Sequence, residues 1–289
     1  MTDYAELQCT TNFSFLRGGS HPEELVMQAK HLGLSALAVT DRNTLAGVVR
    51  AHGAAKEAGL KFIVGAKFSL SSPSGLGRVD AKRTGGVLPR GTTPPVAPAR
   101  ATLPALAPEE GVSLLAYPIT RAAYGRLCRL LSVGQLRAKK AECILTLADI
   151  HEYAENMIFA LLPDSADYLA NLRRNLKAPL YLAVHRTYEA DDRAHLNRLA
   201  EIAHKTRTPL LATNDVLYHH PSRRVLQDVV TAIREGVIIA DAGFRLAANA
   251  ERHLKLPQEM ARLFHEHPEA IASTMEIANA CNFSLDELK

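Results

Sequence analysis

The sequence predicts an α/β fold built on a parallel sheet or barrel. Two observations point to it. The segments AVTDRNTLAG (38–47) and PLLATNDVLYHH (209–220) are apolar runs that each end in an acid, Asp41 and Asp215. An apolar run bounded by turn residues reads as a buried parallel strand, and its C-terminal end is where such sheets build their sites. The first 66 residues also alternate strand, helix, strand, helix, strand, which is a βα repeat.

The elements follow in order. Residues 4–10 (YAELQCT) alternate as a strand. Ser20 then caps a helix, with Glu23 completing a capping box and Pro22 in the first turn. Leu25, Ala29 and Leu32 form its buried face, and Gly33 ends it. A strand at 35–40, a helix at about 43–58 ending at Gly59, and a strand at 61–66 come next. Residues 71–110 are rich in Pro, Gly, Ser and Thr and hold no period, which reads as an insertion. Its Arg78, Lys82, Arg83, Arg90 and Arg100 suit a solvated loop or an arm that touches an anionic partner. The βα rhythm resumes with a strand at 112–117 and a basic amphipathic helix at 121–135, striped by Tyr124, Leu127, Leu130 and Leu131. Further strands are expected at 157–162, 179–184 and 209–213, with helices at 165–176 and 190–206. A mainly helical tail covers about 222–289, through 222–235, 257–266 and 268–281.

Composition narrows the class. A chain of 289 residues suits one large α/β domain or two small ones, and 47% hydrophobic residues exclude wholesale disorder. No apolar run is long enough to span a bilayer, so no membrane role is expected. The N-terminus MTDYAELQ lacks a secretory pattern. Cys9, Cys128, Cys143 and Cys281 form no CxxC, which fits reduced thiols and a cytoplasmic location. A net charge of +4 permits nucleic-acid contact without demanding it.

The chemistry-bearing residues are few. Each strand-end Asp has a plain alternative, as a cap for the following helix. His265 and His267 sit in a helical context, where i and i+2 diverge and cannot share a metal. His219 and His220 follow the Asp215 strand, so one could reach the rim of a site. No GxSxG or GxxxxGK[ST] occurs, so nucleophile-elbow and phosphate-loop chemistry lack support. Arg121, Arg126 and Arg129 on the basic helix, with Lys139 and Lys140 after it, are candidate DNA-backbone contacts or a solvated face.

Four ordered segments carry a family resemblance: LQCTTNFSFLRGGSHPEELVMQAKHLGLSALAVTDRNTLAGVVRAHGAAKEAGLKFIVGAKF, AAYGRLCRLLS, PLLATNDVLYHHPSRRVLQDVVTAIREG and CNFSLDEL. They resemble the PHP (polymerase and histidinol phosphatase) domain at the N-terminus of bacterial C-family DNA polymerases, in the error-prone, damage-inducible branch. The resemblance runs from about residue 4 to the C-terminus and does not cover 71–110. It implies one PHP domain over 1–289, a distorted (β/α)7 barrel with a mainly helical C-terminal extension. It also implies a rim of histidines and acids that, in active members, holds up to three divalent metals for phosphoester hydrolysis.

Carried over position by position, that rim is largely lost. The opening His-x-His falls on Gln8 and Thr10, and the ligand of the next turn on Arg17. The His after Asp41 falls on Arg42, the third-strand Glu on Lys67, and the His before the LLA strand near Gly111. The late Asp-x-His becomes Asp215 and Leu217, and the remaining ligand falls near 151–163, where His151 is the candidate. Metals need converging imidazoles and carboxylates, so a metal-free pocket without catalytic residues is expected. In it Arg17, Arg42 and Lys67 would answer Asp41 and Asp215. An unanswered buried acid would cost on the order of 3–5 kcal/mol.

The resemblance further implies a parent polymerase whose two Mg2+ ions sit on palm carboxylates outside this chain, which stops where the family continues into the palm. The expected partners are the remainder of that polymerase, DNA through it, and companion proteins of translesion synthesis. Two other readings stay open. One is a stand-alone metal-dependent phosphoesterase or 3′–5′ exonuclease. The other is a DNA-binding accessory module acting through the 78–100 arm and the 121–140 helix.

Overall fold

The computed structural model describes residues 3–70, 112–140 and 142–288. The insertion at 71–110, with its five cations and the neighbouring Gly111, lies outside the described residues. Seven strands form one curled sheet in sequence order: β1 Ala5–Cys9, β2 Ala36–Arg42, β3 Lys61–Leu70, β4 Val112–Pro118, β5 Met157–Leu161, β6 Leu180–Val184 and β7 Leu210–Ala212. The α/β barrel expectation is met, with one departure from the βα rhythm. β4 runs antiparallel to both β3 and β5, while the other neighbours are parallel. β3 is therefore ten residues long and not six, because its second half pairs with β4 from Ala66 to Leu70.

Alternate strand residues fill the interior. Ala5, Leu7, Ala36, Ala38, Ile63, Leu115, Tyr117, Ile158, Ala160, Ala183 and Leu211 form one buried cluster. The small residues leave room for Tyr117, whose hydroxyl donates to the Leu7 carbonyl at 2.8 Å. At Gly65 an added Cβ would stand 2.8 Å from Thr40 Cγ2 and 3.1 Å from the Tyr117 ring, closer than such contacts tolerate.

The seam between β1 and β7 is closed from its two ends. At the C-terminal rim, Thr10 N donates to Val216 O (2.8 Å) and Val216 N donates to Gln8 O (2.9 Å). At the other end helix α9 (Pro268–Ala280) packs on both strands. Its Ile277 and Ala278, with Cys281, join the interior cluster, and Ala5 N donates to Thr274 Oγ1. The C-terminal helices are thus part of the barrel's closure.

Helices α5 (Leu169–Asn175), α6 (Asp192–Thr206) and α8 (Pro257–Leu263) fall within the expected spans, α5 after a 3-10 turn at Pro163–Tyr168 and α8 ending three residues early. Three other differences have a clear local cause. Helix α1 (Pro22–His31) begins one residue later than read: the cap is His21, whose N–H donates to Glu24 Oε2 at 2.8 Å. Ser20 instead accepts from the His219 amide across the rim (3.0 Å). Helix α2 (Val48–Ala58) starts five residues late, because Asn43 takes a left-handed turn at φ 55°. Gly59 ends it in the left-handed conformation, as read. Helix α4 (Leu147–Tyr153), between the basic helix α3 (Arg121–Leu136) and β5, was not foreseen; Thr146 caps it and Asp149 returns the bond to the Thr146 amide. No helix among the described residues is long and apolar enough to cross a membrane.

β1 carries a bulge: Glu6 pairs Leu37 and Cys9 pairs Val39, so Leu7 and Gln8 both oppose Ala38. Glu6 holds it. Its fully buried carboxylate accepts from Gln8 N (2.9 Å), Tyr4 Oη (2.8 Å) and Asn214 N (3.0 Å). Burial outweighs these donors and lifts its pKa from 4.5 to about 7. A raised carboxyl contributes its full stability below the unfolded value and loses it as pH rises through the folded value. Stability from this group is therefore expected to fall between pH 4.5 and about 7, by on the order of 3 kcal/mol. Urea unfolding across that range checks it, and Glu6→Gln should flatten the slope.

Candidate functional site

A cavity of about 520 Å3 opens at the C-terminal ends of the strands. Gln8, Thr10, Arg17, Arg42, Lys67, Asp215 and Leu217 all line it, so seven of the eight positions read from the sequence come together. The bulge in β1 sets the phase that turns Gln8 and Thr10 to the rim. Arg42 and Lys67 are register partners at the ends of β2 and β3.

Asp41 is the exception. Consecutive strand residues point to opposite faces, and Asp41 lies behind the strand that presents Arg42. It is fully buried, and its Oδ1 accepts from Thr11 N (2.8 Å) and Ser14 Oγ (2.7 Å), its Oδ2 from Thr11 Oγ1 (2.8 Å). Burial pushes its carboxyl up against those donors. A Cβ at Gly47 would stand 2.6 Å from Oδ2, which explains glycine there. Asp41 therefore anchors the 11–14 turn that leads to Arg17, and the expected cationic answer to it from inside the pocket does not apply.

Asp215 sits in the left-handed region at φ 43°, a conformation that Asp tolerates better than most residues. Gln8 Nε2 donates to its Oδ1 at 2.6 Å. Arg252 forms an ion pair with its Oδ2, and Arg252 Nε donates to the Asp215 carbonyl at 3.0 Å. Burial raises the carboxyl, but Arg252 and then Lys67 prevail and hold its pKa down to about 2. The salt-bridge partner of Asp215 is thus Arg252, which the sequence reading missed; Lys67 acts through its field. Arg252 lies in an irregular segment with no period to flag it. His185, at the end of β6, was also missed, although it follows an apolar strand just as Asp41 and Asp215 do. Its Nδ1 is buried and has no hydrogen-bond partner among the described residues, and burial lowers its pKa. Arg234, Glu235 and Asp164 complete the charged lining.

The remaining candidates lie elsewhere. His219 Nδ1 meets Ser20 Oγ (2.8 Å), His220 Nδ1 meets Ser222 Oγ (2.9 Å), and neither lines the cavity. His151 is exposed on α4. His265 Nδ1 turns to Arg262 O and His267 Nδ1 to Glu269, so the two share no site. On α3, Arg126 is paired with Glu155, while Arg121 and Arg129, and Lys139 and Lys140 beyond the end of the helix, are exposed.

The donor set does not fit a metal centre. Three cations, an amide, a hydroxyl and a leucine stand at the rim, and the one family-position carboxylate in the cavity is already bound by Arg252 and Gln8. Among the described residues no three His, Cys, Asp or Glu side chains gather as ligands.

A curled, seven-stranded, largely parallel sheet with its pocket at the strand ends is a PHP-type barrel. The family model for the PHP domain matches residues 6–286, and the chain belongs to that family. Within it, the chain is 42% identical over 292 residues to the error-prone DNA polymerase of Caulobacter vibrioides, covering 99% of this chain and 24% of that protein. The error-prone DNA polymerase of Rhodopseudomonas palustris is 43% identical over 297 residues, covering 99% and 23%. The chain therefore spans about a quarter of the curated relatives it matches. A solved amidohydrolase from Chromobacterium violaceum aligns over 74% of this chain and 87% of its own, at 12% identity and a TM-score of 0.46.

Replacing Arg252 by Met is expected to destabilise the fold by about 1–3 kcal/mol. That is below the range for a fully buried pair, because Arg252 is 37% exposed. Adding Asp215→Asn should recover part of the loss in a double-mutant cycle followed by urea unfolding. Because the Asp215 pKa is depressed, the pair's contribution is present above about pH 4 and is lost as pH falls toward about 2.

Proposed function

We propose that this chain is the N-terminal PHP domain of an error-prone, DNA-directed DNA polymerase acting in translesion synthesis and DNA repair, and that its own pocket is metal-free and structural. The observation that carries this reading is the inverted charge of the rim. Where hydrolytic PHP members need ligands, this chain has Gln8, Thr10, Arg17, Arg42, Lys67 and Leu217, and Asp215 is tied to Arg252. Such a set repels divalent cations, so the stand-alone phosphoesterase or exonuclease reading lacks its chemistry. Nucleotidyl transfer would belong to a palm domain beyond these residues, where Mg2+ would assist the reaction. The share of the error-prone polymerases that the chain spans supports that division of labour. A cytoplasmic location accords with four free thiols.

The proposed role of the domain is to brace the polymerase body. Helix α7 (Arg224–Glu235) supports it, being apolar on its outer side. Val225, Leu226, Val229 and Ile233 are exposed there, followed by Ile238, Ile239 and a fully exposed Phe244. A patch of this kind marks an interaction surface. Companion translesion proteins are a further candidate for it. The exposed cations of α3 suit auxiliary contact with the DNA backbone, which salt-dependent binding to primer–template DNA would reveal.

Purified protein is expected to contain no stoichiometric zinc or manganese by elemental analysis, and to show no nuclease activity when either is added. Tightly held metal, or a metal-dependent nuclease activity abolished by Asp215→Ala, would overturn the structural reading. In the full-length polymerase, Val229→Glu with Ile233→Glu should lower the melting temperature of the whole enzyme and its primer extension. The same pair should leave the isolated chain's secondary structure unchanged by circular dichroism.

A further inference from the structure

We infer that the 251–255 segment is a pH-operated latch on the barrel rim: protonation of His253 sets it against Lys255, lifts the segment and releases Arg252 from Asp215. This goes beyond the function proposed above and does not rest on it, since the latch needs no ligand, metal or partner.

The neighbours of His253 dictate where its proton sits. Its Nδ1 meets the Leu254 carbonyl at 2.7 Å, and its Nε2 meets Lys255 Nζ at 3.2 Å. A carbonyl can only accept and an ammonium can only donate. Nδ1 therefore carries the proton and Nε2 the lone pair, which makes the ring neutral. A second proton has no acceptor in this arrangement. On Nε2 it would set N–H against N–H and place two cations 3.2 Å apart.

Lys255 has little room to retreat. Its side chain is 4% exposed. Its Nζ donates to Glu251 Oε2 at 2.7 Å and lies 5.4 Å from the ring of Tyr188, a residue held in the left-handed region at φ 58°. Moving this ammonium means moving the segment that carries it. Glu251 also lies 4.0 Å from His253 Nε2, but it already holds Lys255, so one carboxylate would serve two cations. The surrounding charges do not change the sign. His220, from the stretch after β7, opposes a charged His253, while Glu259 of α8 acts on Lys255, and Arg186 and Arg262 act on Tyr188. Burial and then Lys255 hold the His253 pKa below the usual histidine value, against the Leu254 carbonyl and Glu251.

The same segment is fastened to the rim. The Arg252 carbonyl accepts from Leu217 N (2.9 Å) and Tyr218 N (3.4 Å). The Asn214 side-chain amide donates to the Glu251 carbonyl (2.8 Å) and the His253 carbonyl (2.6 Å). Arg252 takes the Asp215 carboxylate and carbonyl, and its side chain lines the rim cavity. Displacing His253 or Lys255 therefore pulls on the residue that clamps the seam. Asp215 stays ionised down to about 2, so release at milder acidity does not come from protonating the acid.

The sign follows from the depressed pKa. The contribution of His253 to rim stability is full above the ordinary histidine value of about 6.5. It is lost as pH falls through the lowered value. Glu6 changes in the opposite sense between 4.5 and about 7, so it cannot imitate the loss.

The test is NMR of the purified, nitrogen-15-labelled chain at about pH 7.5 and about pH 5, the interval over which histidine charge changes. Long-range proton–nitrogen spectra are expected to show His253 neutral at the higher pH, with its proton on Nδ1. Its charging on acidification should bring a fall of about tenfold or more in hydrogen-exchange protection of the Leu217 amide, the equivalent of one lost charge-assisted hydrogen bond. Amides of the central strand β4 should keep their protection. His253→Gln should abolish the change at Leu217. Lys255→Met should let His253 charge at a higher pH and should remove the loosening. If His253→Gln does not fold, the tautomer and titration of His253 in the parent and in Lys255→Met still decide. A proton on Nε2 at the higher pH, Leu217 protection that is unchanged when His253 charges, or a loosening that persists in His253→Gln overturns the inference.

Discussion

The rim of this barrel depends on one clamp. β1 and β7 do not pair along their lengths; β1 meets the chain just past β7 through the Gln8–Val216 and Thr10–Val216 backbone bonds. Asp215, adjacent to that junction, is held in a left-handed turn by Arg252, which takes both its carboxylate and its carbonyl, and by Gln8 from the first strand. A single, largely buried carboxylate thereby joins the first strand, the turn after the last strand and the 251–254 segment. Its low pKa is the electrostatic signature of that tethering. The anchor is a protein cation.

A second buried carboxylate prepares the clamp. Glu6 stabilises the bulge that brings Gln8 and Thr10 to the rim, and its other oxygen accepts from Asn214, next to Asp215. A third, Asp41, ties down the 11–14 turn beyond β1. The three acids differ in environment and therefore in behaviour. Glu6 has only neutral donors and rises to about 7, Asp41 likewise rises, and Asp215 beside Arg252 falls to about 2. In the first two the acid organises backbone, and in the third it joins a charged rim.

The C-terminal helices serve two opposite purposes. α9 turns apolar residues into the barrel and closes the seam where β1 and β7 leave it open. α7 does the reverse, burying Gln227, Thr231 and Ala232 while Val225, Val229 and Ile233 face outward. Gln227 explains part of this arrangement: its side-chain amide donates to the Arg17 carbonyl, so the polar side of the helix supports the loop that carries a rim cation. An apolar outer face on a helix fastened to the rim suits a domain that is one part of a longer polypeptide.

The sequence by itself determined the strands, most helices, the barrel class and the set of positions that meet at the rim. Apolar runs and their punctuation are local, and the order of the strands in the sheet follows the order of the chain. Seven rim positions were legible through the family resemblance, which marks where ligands stand in the family whatever residues occupy those positions here. What only the tertiary structure decided was pairing. Asp41 and Arg42 are neighbours in sequence yet lie on opposite sides of a strand, because the side-chain period is two. Arg252 reaches Asp215 from an irregular segment 37 residues away, and His185 gains its meaning only from an unmet Nδ1 at the cavity wall. The antiparallel β4 was equally hidden, since an apolar run carries no mark of its direction. Charge partners and strand direction depend on how distant segments meet in space, and no local pattern of residues encodes that meeting.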